Sequence, residues 1–241
     1  MRQIIQSIIV LLIGTANWLG IINDDKNLEY TAKPIVLIVI SLFYAINTKL
    51  QKKGDLIVLL GFLFSLSGDI FLMYDGYFIQ GLLSFAVAHL FFIIAFTMYK
   101  TTNQKHSEGL KSSKVTIIIT VIFVYCVFIF SYLLPFIPDD LKVAVIFYGL
   151  LLGAMGIFAL LRNTYTNNYS FKFGFIGGLF FISSDSILAL NLFAGYKSIF
   201  IRFMVMFTYY IAQICIWQSM EEHSVSIQRR KKSSKQQFKT K

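Results

Sequence analysis

The sequence predicts an all-α fold: a polytopic membrane protein of eight transmembrane helices. Three observations carry that reading. Of the 241 residues, 56% are apolar and only 14% charged, against about 25% charged in an ordinary soluble domain. The apolar residues fall in runs close to the roughly 20 residues that cross a bilayer as a helix. Within those runs they do not alternate with polar residues, as they would in the strands of a membrane barrel.

In chain order the spans are expected at residues 4–22, 34–47 with its flanks, 56–74, 77–99, 115–134, 141–161, 173–193 and 199–219. The first is an apolar-rich run behind the single Arg2, longer than the core of a signal peptide, and it reads as a span. Asp75-Gly76 separates the third from the fourth, and Pro138-Asp139-Asp140 the fifth from the sixth. Pro34, Pro135 and Pro138 are placed at span ends. The expected organisation is an eight-span domain over 1–220 and a basic, disordered cytosolic tail over 221–241.

The net charge of +10 would suggest nucleic acid in a soluble protein. Here it is topological. Seven of the 22 Lys and Arg lie in the last 13 residues, and with Arg2, Lys49, Lys52, Lys53, Lys100, Lys105, Lys111, Lys114, Arg162 and Lys172 they put 17 basic residues on one side. The other side receives only Lys26, Lys33, Lys142, Lys197 and Arg202. The positive-inside rule then makes both termini cytosolic, and the expected setting is a multi-pass protein of a bacterial inner membrane. Trp18, Tyr30, Tyr74, Tyr77, Tyr99, Tyr196 and Trp217 fall at span ends as interface anchors. The two cysteines, Cys126 and Cys215, are both within apolar runs and support neither a disulfide framework nor a thiolate metal site.

Residues 61–72 align with 177–188 at six of twelve positions, an offset of 116 residues or four spans. That spacing predicts a 4+4 parallel repeat about an axis along the membrane normal. Its shared Ser-(Gly/Ser)-Asp-x-x-Leu core carries Asp69 and Asp185, the two carboxylates well inside spans, at a similar depth of roughly 20 Å from the cytosolic edge. A mid-span Asp costs about 2.5–3.5 kcal/mol to insert, so two at one depth point to one site. Gly61 and Ser65, and Gly174, Gly177 and Gly178, lie on or near the carboxylate faces, where small residues permit close helix packing. If those faces meet, the carboxyls share an apolar cavity in which one stays protonated while the other ionises, an acid and a base together.

His89 is the one histidine within a span, since His106 and His223 fall in a loop and the tail. Three histidines for an intramembrane zinc site are therefore missing, and no metal is expected. Asn17, Asn191, Tyr209, Tyr210 and Gln213 are further intramembrane polar groups, each sufficient as helix-to-helix glue. Lys33 and Arg202 sit at the outer mouth, free to snorkel or to meet a phosphate. Ser67, Ser183 and Ser184 flank the aspartates without a G-x-S-x-G elbow.

Lys33-Pro34, Ser67-Gly68-Asp69-x-x-Leu72, Phe78-x-x-Gly81, Phe85-x-x-x-His89, Ser184-Asp185-x-x-Leu188-Ala189 and Thr208-Tyr209-Tyr210-x-Ala212-Gln213 together resemble the YhhN-like lysoplasmalogenases, eight-span membrane proteins, over nearly the whole chain. The resemblance implies hydrolysis of the vinyl ether bond of a lysoplasmalogen to a fatty aldehyde and a glycerophospho-base. That chemistry needs an acid, a nearby anion and a water, and no cofactor. Asp69 and Asp185 are the expected acid and base, in either order. His89, Asn17, Tyr209, Gln213 and Ser184 would orient water or the glycerol backbone, and Lys33 and Arg202 would meet the phosphate. The expected partners are thus the lysophospholipid substrate and bilayer lipid, with no nucleic acid. Two rival classes remain: a proton- or cation-coupled secondary transporter, disfavoured by the lack of broken helix pairs, and a hydrolase of another lysolipid.

Overall fold

The computed structural model describes residues 2–98 and 110–239, with side chains described through residue 226. The expected anchor Tyr99, the basic residues Lys100 and Lys105, His106 and the basic side chains of the tail lie outside the described residues. Eight helices are each long and apolar enough to cross a membrane: α1 (Arg2–Ile22), α2 (Lys26–Thr48), α3 (Lys53–Phe71), α4 (Phe78–Met98), α5 (Ser112–Leu133), α6 (Asp139–Leu161), α7 (Asn168–Leu192) and α8 (Ile199–Lys239). Short 3-10 turns extend α5 over Leu134–Phe136 and α6 over Arg162–Thr164. The described residues contain no strand. This is an integral, multi-pass membrane protein.

Two boundaries differ from expectation. Helix α2 starts at Lys26, eight residues before Pro34, because Asp25 caps it by accepting from the Asn27 and Leu28 N–H groups at 3.0 and 3.1 Å. An N-cap of this kind satisfies N–H groups that a helix start would otherwise leave free. Pro34 therefore lies inside a continuous helix and not at a span end, and it has no N–H for the carbonyl four residues back.

The second difference is at the C-terminus, where residues 221–239, expected to be disordered, continue α8 as helix. Buried polar contacts hold the first of these turns in place. Glu221, 1% exposed, accepts from Trp217 Nε1 at 2.9 Å, Asn47 Nδ2 at 2.8 Å and Arg2 Nη2 at 3.2 Å. Lys52 Nζ donates to the Ser224 carbonyl at 2.7 Å. Trp217 is correspondingly buried and stacked on Phe43, and Trp18 packs among Phe203, Phe207 and Tyr210. Trp217 is thus not the exposed interface anchor that its place in the sequence suggests. Tyr74, Tyr77 and Tyr196 are exposed, as anchors should be.

Helix α3 packs chiefly on α4, and α7 chiefly on α8. The glycines of the carboxylate faces serve those pairs, except Gly178, which faces Gly156 and Ala159 of α6, and they do not bring α3 against α7. A Cβ at Gly177 would stand 3.0 Å from the Ala212 carbonyl oxygen, so glycine lets the α7 and α8 backbones close up. Gly61 likewise faces Phe92 of α4. Gly20 does the same for α1 and α2, since a Cβ there would lie 2.6 Å from the Glu29 backbone nitrogen. Helix α5 is the outlier. Only Ile122 and Leu133 of its residues are buried, and it rests on α6 and, more lightly, α7.

Candidate active site

A cavity of about 220 Å³ opens among α2, α3, α7 and α8, toward the end of the bundle remote from both termini. Asp69 and Asp185 both line it, together with Lys33, Ser184, Arg202 and Tyr209. With Asn191, which also lines it and donates from Nδ2 to the Tyr196 carbonyl at 3.0 Å, seven residues singled out from the sequence thus converge on one chamber.

The two carboxylates have different neighbours. Lys33 Nζ lies 3.4 Å from Asp69 Oδ1, with both side chains nearly buried at 13% and 3% exposure. Tyr209 donates its hydroxyl to Asp69 Oδ2 at 2.8 Å. An intramembrane cation therefore stands beside one aspartate, deeper than the outer mouth where Lys33 was expected to snorkel or meet a phosphate. Asp185 instead accepts from the Tyr148 hydroxyl of α6. His89 Nε2 lies 3.0 Å from that hydroxyl and 3.7 Å from Asp185 Oδ2. With the Tyr148 proton committed to Asp185, its oxygen can accept from His89, which gives the chain His89 Nε2–H to Tyr148 O–H to Asp185. The imidazole is fully buried, edge-on to Phe181 at 4.6 Å between ring centroids.

Two expected residues lie elsewhere. Asn17 is buried in α1 and donates from Nδ2 to the Glu29 carbonyl at 3.0 Å, where it ties α1 to the start of α2. Gln213 is buried one turn beyond Tyr209 in α8 and does not line the chamber. Ser184 does line it, but gives its hydroxyl to the Val205 carbonyl at 3.1 Å. Ser67 and Ser183 turn back onto carbonyls of their own helices, a poor state for a nucleophile. Among the described residues, no three His, Cys, Asp or Glu side chains converge as a metal-ligand set.

Two residues not singled out from the sequence belong to the site. Tyr148 sits one position from where the 116-residue offset carries Lys33, so each aspartate takes a partner from the helix preceding it in its own half. The offset also carries His89 to position 205, one helical turn from Tyr209, so each aspartate takes its second partner from the last helix of the opposite half. Glu29 is the other residue missed. It lines the mouth, and its Oε2 meets Arg202 Nη2 at 2.5 Å, while Arg202 Nη1 meets Asp24 at 3.0 Å.

A second, apolar cavity of about 90 Å³ lies among α4, α5, α6 and α7, lined by Phe78, Leu82, Cys126, Phe130, Leu152 and neighbours. Leu72, Phe85, Leu188 and Leu192 line both cavities, and so does Asp185, whereas Asp69 lines only the polar one. The arrangement offers an oily slot and a charged chamber with a carboxyl at their junction.

No solved structure matches the chain significantly. Among curated proteins, the human "Lysoplasmalogenase TMEM86A" is 31% identical over 170 residues, covering 68% of this chain and 65% of that protein. A Dictyostelium discoideum "Lysoplasmalogenase homolog" is 31% identical over 197 residues, covering 67% of this chain and 62% of its own length. The bovine TMEM86A protein is 29% identical over 170 residues, again with 68% and 65% covered. The chain thus matches a little under two thirds of the length of these relatives. The family model described as "YhhN family" matches residues 28–220, from the start of α2 through the buried part of α8 and across every residue of the chamber, and the chain belongs to the YhhN family.

Proposed function

We propose that this protein hydrolyses the vinyl ether bond of a lysoplasmalogen, releasing a fatty aldehyde and a glycerophospho-base. The observation that carries the reading is the position of Asp185, at the junction of an apolar slot with a charged chamber that also holds Asp69. A lysoplasmalogen has one hydrocarbon chain and one phosphorylated head, joined at the bond to be broken. With the chain in the slot and the head in the chamber, that bond lies at the junction. The names of the relatives point to the same substrate.

The chemistry assigns different work to the two carboxyls. Vinyl ether hydrolysis begins when a proton adds to the vinyl carbon farther from the ether oxygen, on the chain side. The C=C electron pair forms the new C–H bond and leaves an oxocarbenium ion. Asp185 reaches into the slot and is the proton donor, oriented by Tyr148 and His89. Asp69 faces the cation from the chamber and accepts a proton from the water that attacks the carbon bonded to oxygen. The hemiacetal then collapses: its C–O bond to glycerol breaks, the hydroxyl proton is lost, the glycerol oxygen is protonated, and the aldehyde departs. Return of the water's proton to Asp185 closes the cycle, in the manner of paired carboxyls in glycoside hydrolysis. With the basic tail cytosolic by the positive-inside rule, the chamber opens to the outer face and draws substrate from the outer leaflet of a bacterial inner membrane.

One observation favours a second reading. The buried Lys33–Asp69 ion pair, beside a proline inside its span, is also what proton- or cation-coupled transport would use. Purified protein should be given a lysoplasmalogen, a saturated-ether lysolipid and an ester lysolipid side by side. Aldehyde from the vinyl ether alone is the expected result. Turnover of the ester instead would move the assignment to a different lysolipid hydrolase. No turnover of any, with proton flux in proteoliposomes, would move it to transport.

A further inference from the structure

The mouth of the chamber carries charges of both signs on rigid supports. Glu29 is in the first turn of α2, where Asn17 holds its carbonyl and Gly20 lets α1 close on its backbone nitrogen. Arg202 is in the first turn of α8. Their contact uses one carboxylate oxygen of Glu29, and among the described residues Oε1 takes no hydrogen bond. Arg202 gives one N–H to Glu29 and one to Asp24, out of five that a guanidinium carries. Lys33 follows one turn deeper on α2, also facing the cavity.

From this we infer that the Glu29–Arg202 pair is a headgroup subsite for a phosphoethanolamine-type zwitterion, with Arg202 and Lys33 taking the phosphate and Glu29 the primary ammonium. The inference rests on the hydrolase reading and names the substrate's head. A part-exposed ion pair of this kind contributes little to stability, so exchanging its internal partner for a ligand's opposite charge is nearly free. Each group keeps a charge-assisted partner throughout. A lone phosphate would satisfy Arg202 but strand Glu29 beside an anion, so the mouth selects against heads without a cation. It also selects by the kind of cation. A primary ammonium has three N–H donors for a carboxylate, whereas a trimethylammonium has none and is held best by aromatic faces. The aromatic rings that line this chamber, Phe85 and Tyr209, lie deep beside Asp69, packed edge-to-face at 5.9 Å, and not at the mouth.

The test is steady-state kinetics on vinyl ether lysolipids with ethanolamine, choline and glycerol heads, for wild type, Glu29→Gln and Glu29→Asp. Wild type should show its lowest KM with ethanolamine. Glu29→Gln should raise that KM about tenfold while leaving kcat within about twofold, with little change for the glycerol head, and Glu29→Asp should recover part of the loss. If Glu29→Gln fails to fold, inhibition of wild type decides: glycerophosphoethanolamine should compete at least about tenfold better than glycerol phosphate. Aldehyde released with the same KM for all three heads, or a Glu29→Gln loss equal across them, overturns the subsite alone. No aldehyde from any head with folded wild type overturns the hydrolase reading beneath it.

Discussion

Replacing Tyr148 with phenylalanine removes one hydroxyl and leaves the ring in the wall of the apolar slot. That hydroxyl donates to Asp185 and stands 3.0 Å from His89 Nε2, so its loss cuts the link between the imidazole and the carboxyl. The gap that remains, 3.7 Å from His89 Nε2 to Asp185 Oδ2, is too long for a hydrogen bond. With Asp185 protonated as the donor, the bond joins neutral groups, and leaving buried polar groups without that partner costs about 1–3 kcal/mol, which converts to a fall of about 5–150-fold in kcat/KM. The loss should appear in kcat more than in KM, because the hydroxyl orients the acid and does not hold the head or the chain. Aldehyde release in detergent or nanodiscs, with thermal unfolding alongside to show a folded variant, measures it. A loss of less than about threefold would refute the idea that the His89–Tyr148 chain aims Asp185.

Other expectations follow from packing and charge. Lys33→Met leaves Asp69 buried without its cation and should cost about 3–5 kcal/mol of stability, most of it recovered in a Lys33→Met/Asp69→Leu double variant; thermal unfolding of all three proteins reads this as a cycle. Gly68→Ala would place a Cβ 2.6 Å from the Phe85 ring, which lies against Tyr209. It should destabilise by about 1–3 kcal/mol and slow turnover as Phe85 is pushed into the chamber, and recovery of wild-type turnover would contradict the placement of that ring. Cys126→Phe fills part of the apolar slot and should shift the ratio of kcat/KM from long toward short alkenyl chains. An unchanged ratio would mean that the chain lies elsewhere.

What the sequence revealed and what it hid divide along physical lines. The eight helices were legible because span length is dictated by bilayer thickness, and Asp69 and Asp185 because a buried carboxylate is conspicuous in an apolar run. Lys33 was misplaced because Pro34 looked like a helix start; the Asp25 cap, two turns earlier, begins the helix sooner and puts the lysine inside it. Tyr148 offered no signal of its own, since a tyrosine in a span is ordinary, and only the offset from Lys33 marks its position. Glu29 looked like a loop acid because its helix was drawn too short. The tail read as unfolded from its polar composition, whereas the buried Glu221 and the Lys52 bond to the Ser224 carbonyl tie its first turns to the bundle. Helix pairing was not legible either: the glycine stripes announced close packing without saying that α4, α6 and α8 would receive it.

Turnover of a lysoplasmalogen by the Asp69→Asn and Asp185→Asn variants tests the account most directly. Asparagine keeps the shape of each side chain and removes its capacity to carry a proton to or from the reacting carbons. Each variant, in folded protein, should lose at least about a hundredfold in kcat, the scale of lost acid–base catalysis. A loss of less than about tenfold at both positions would contradict it.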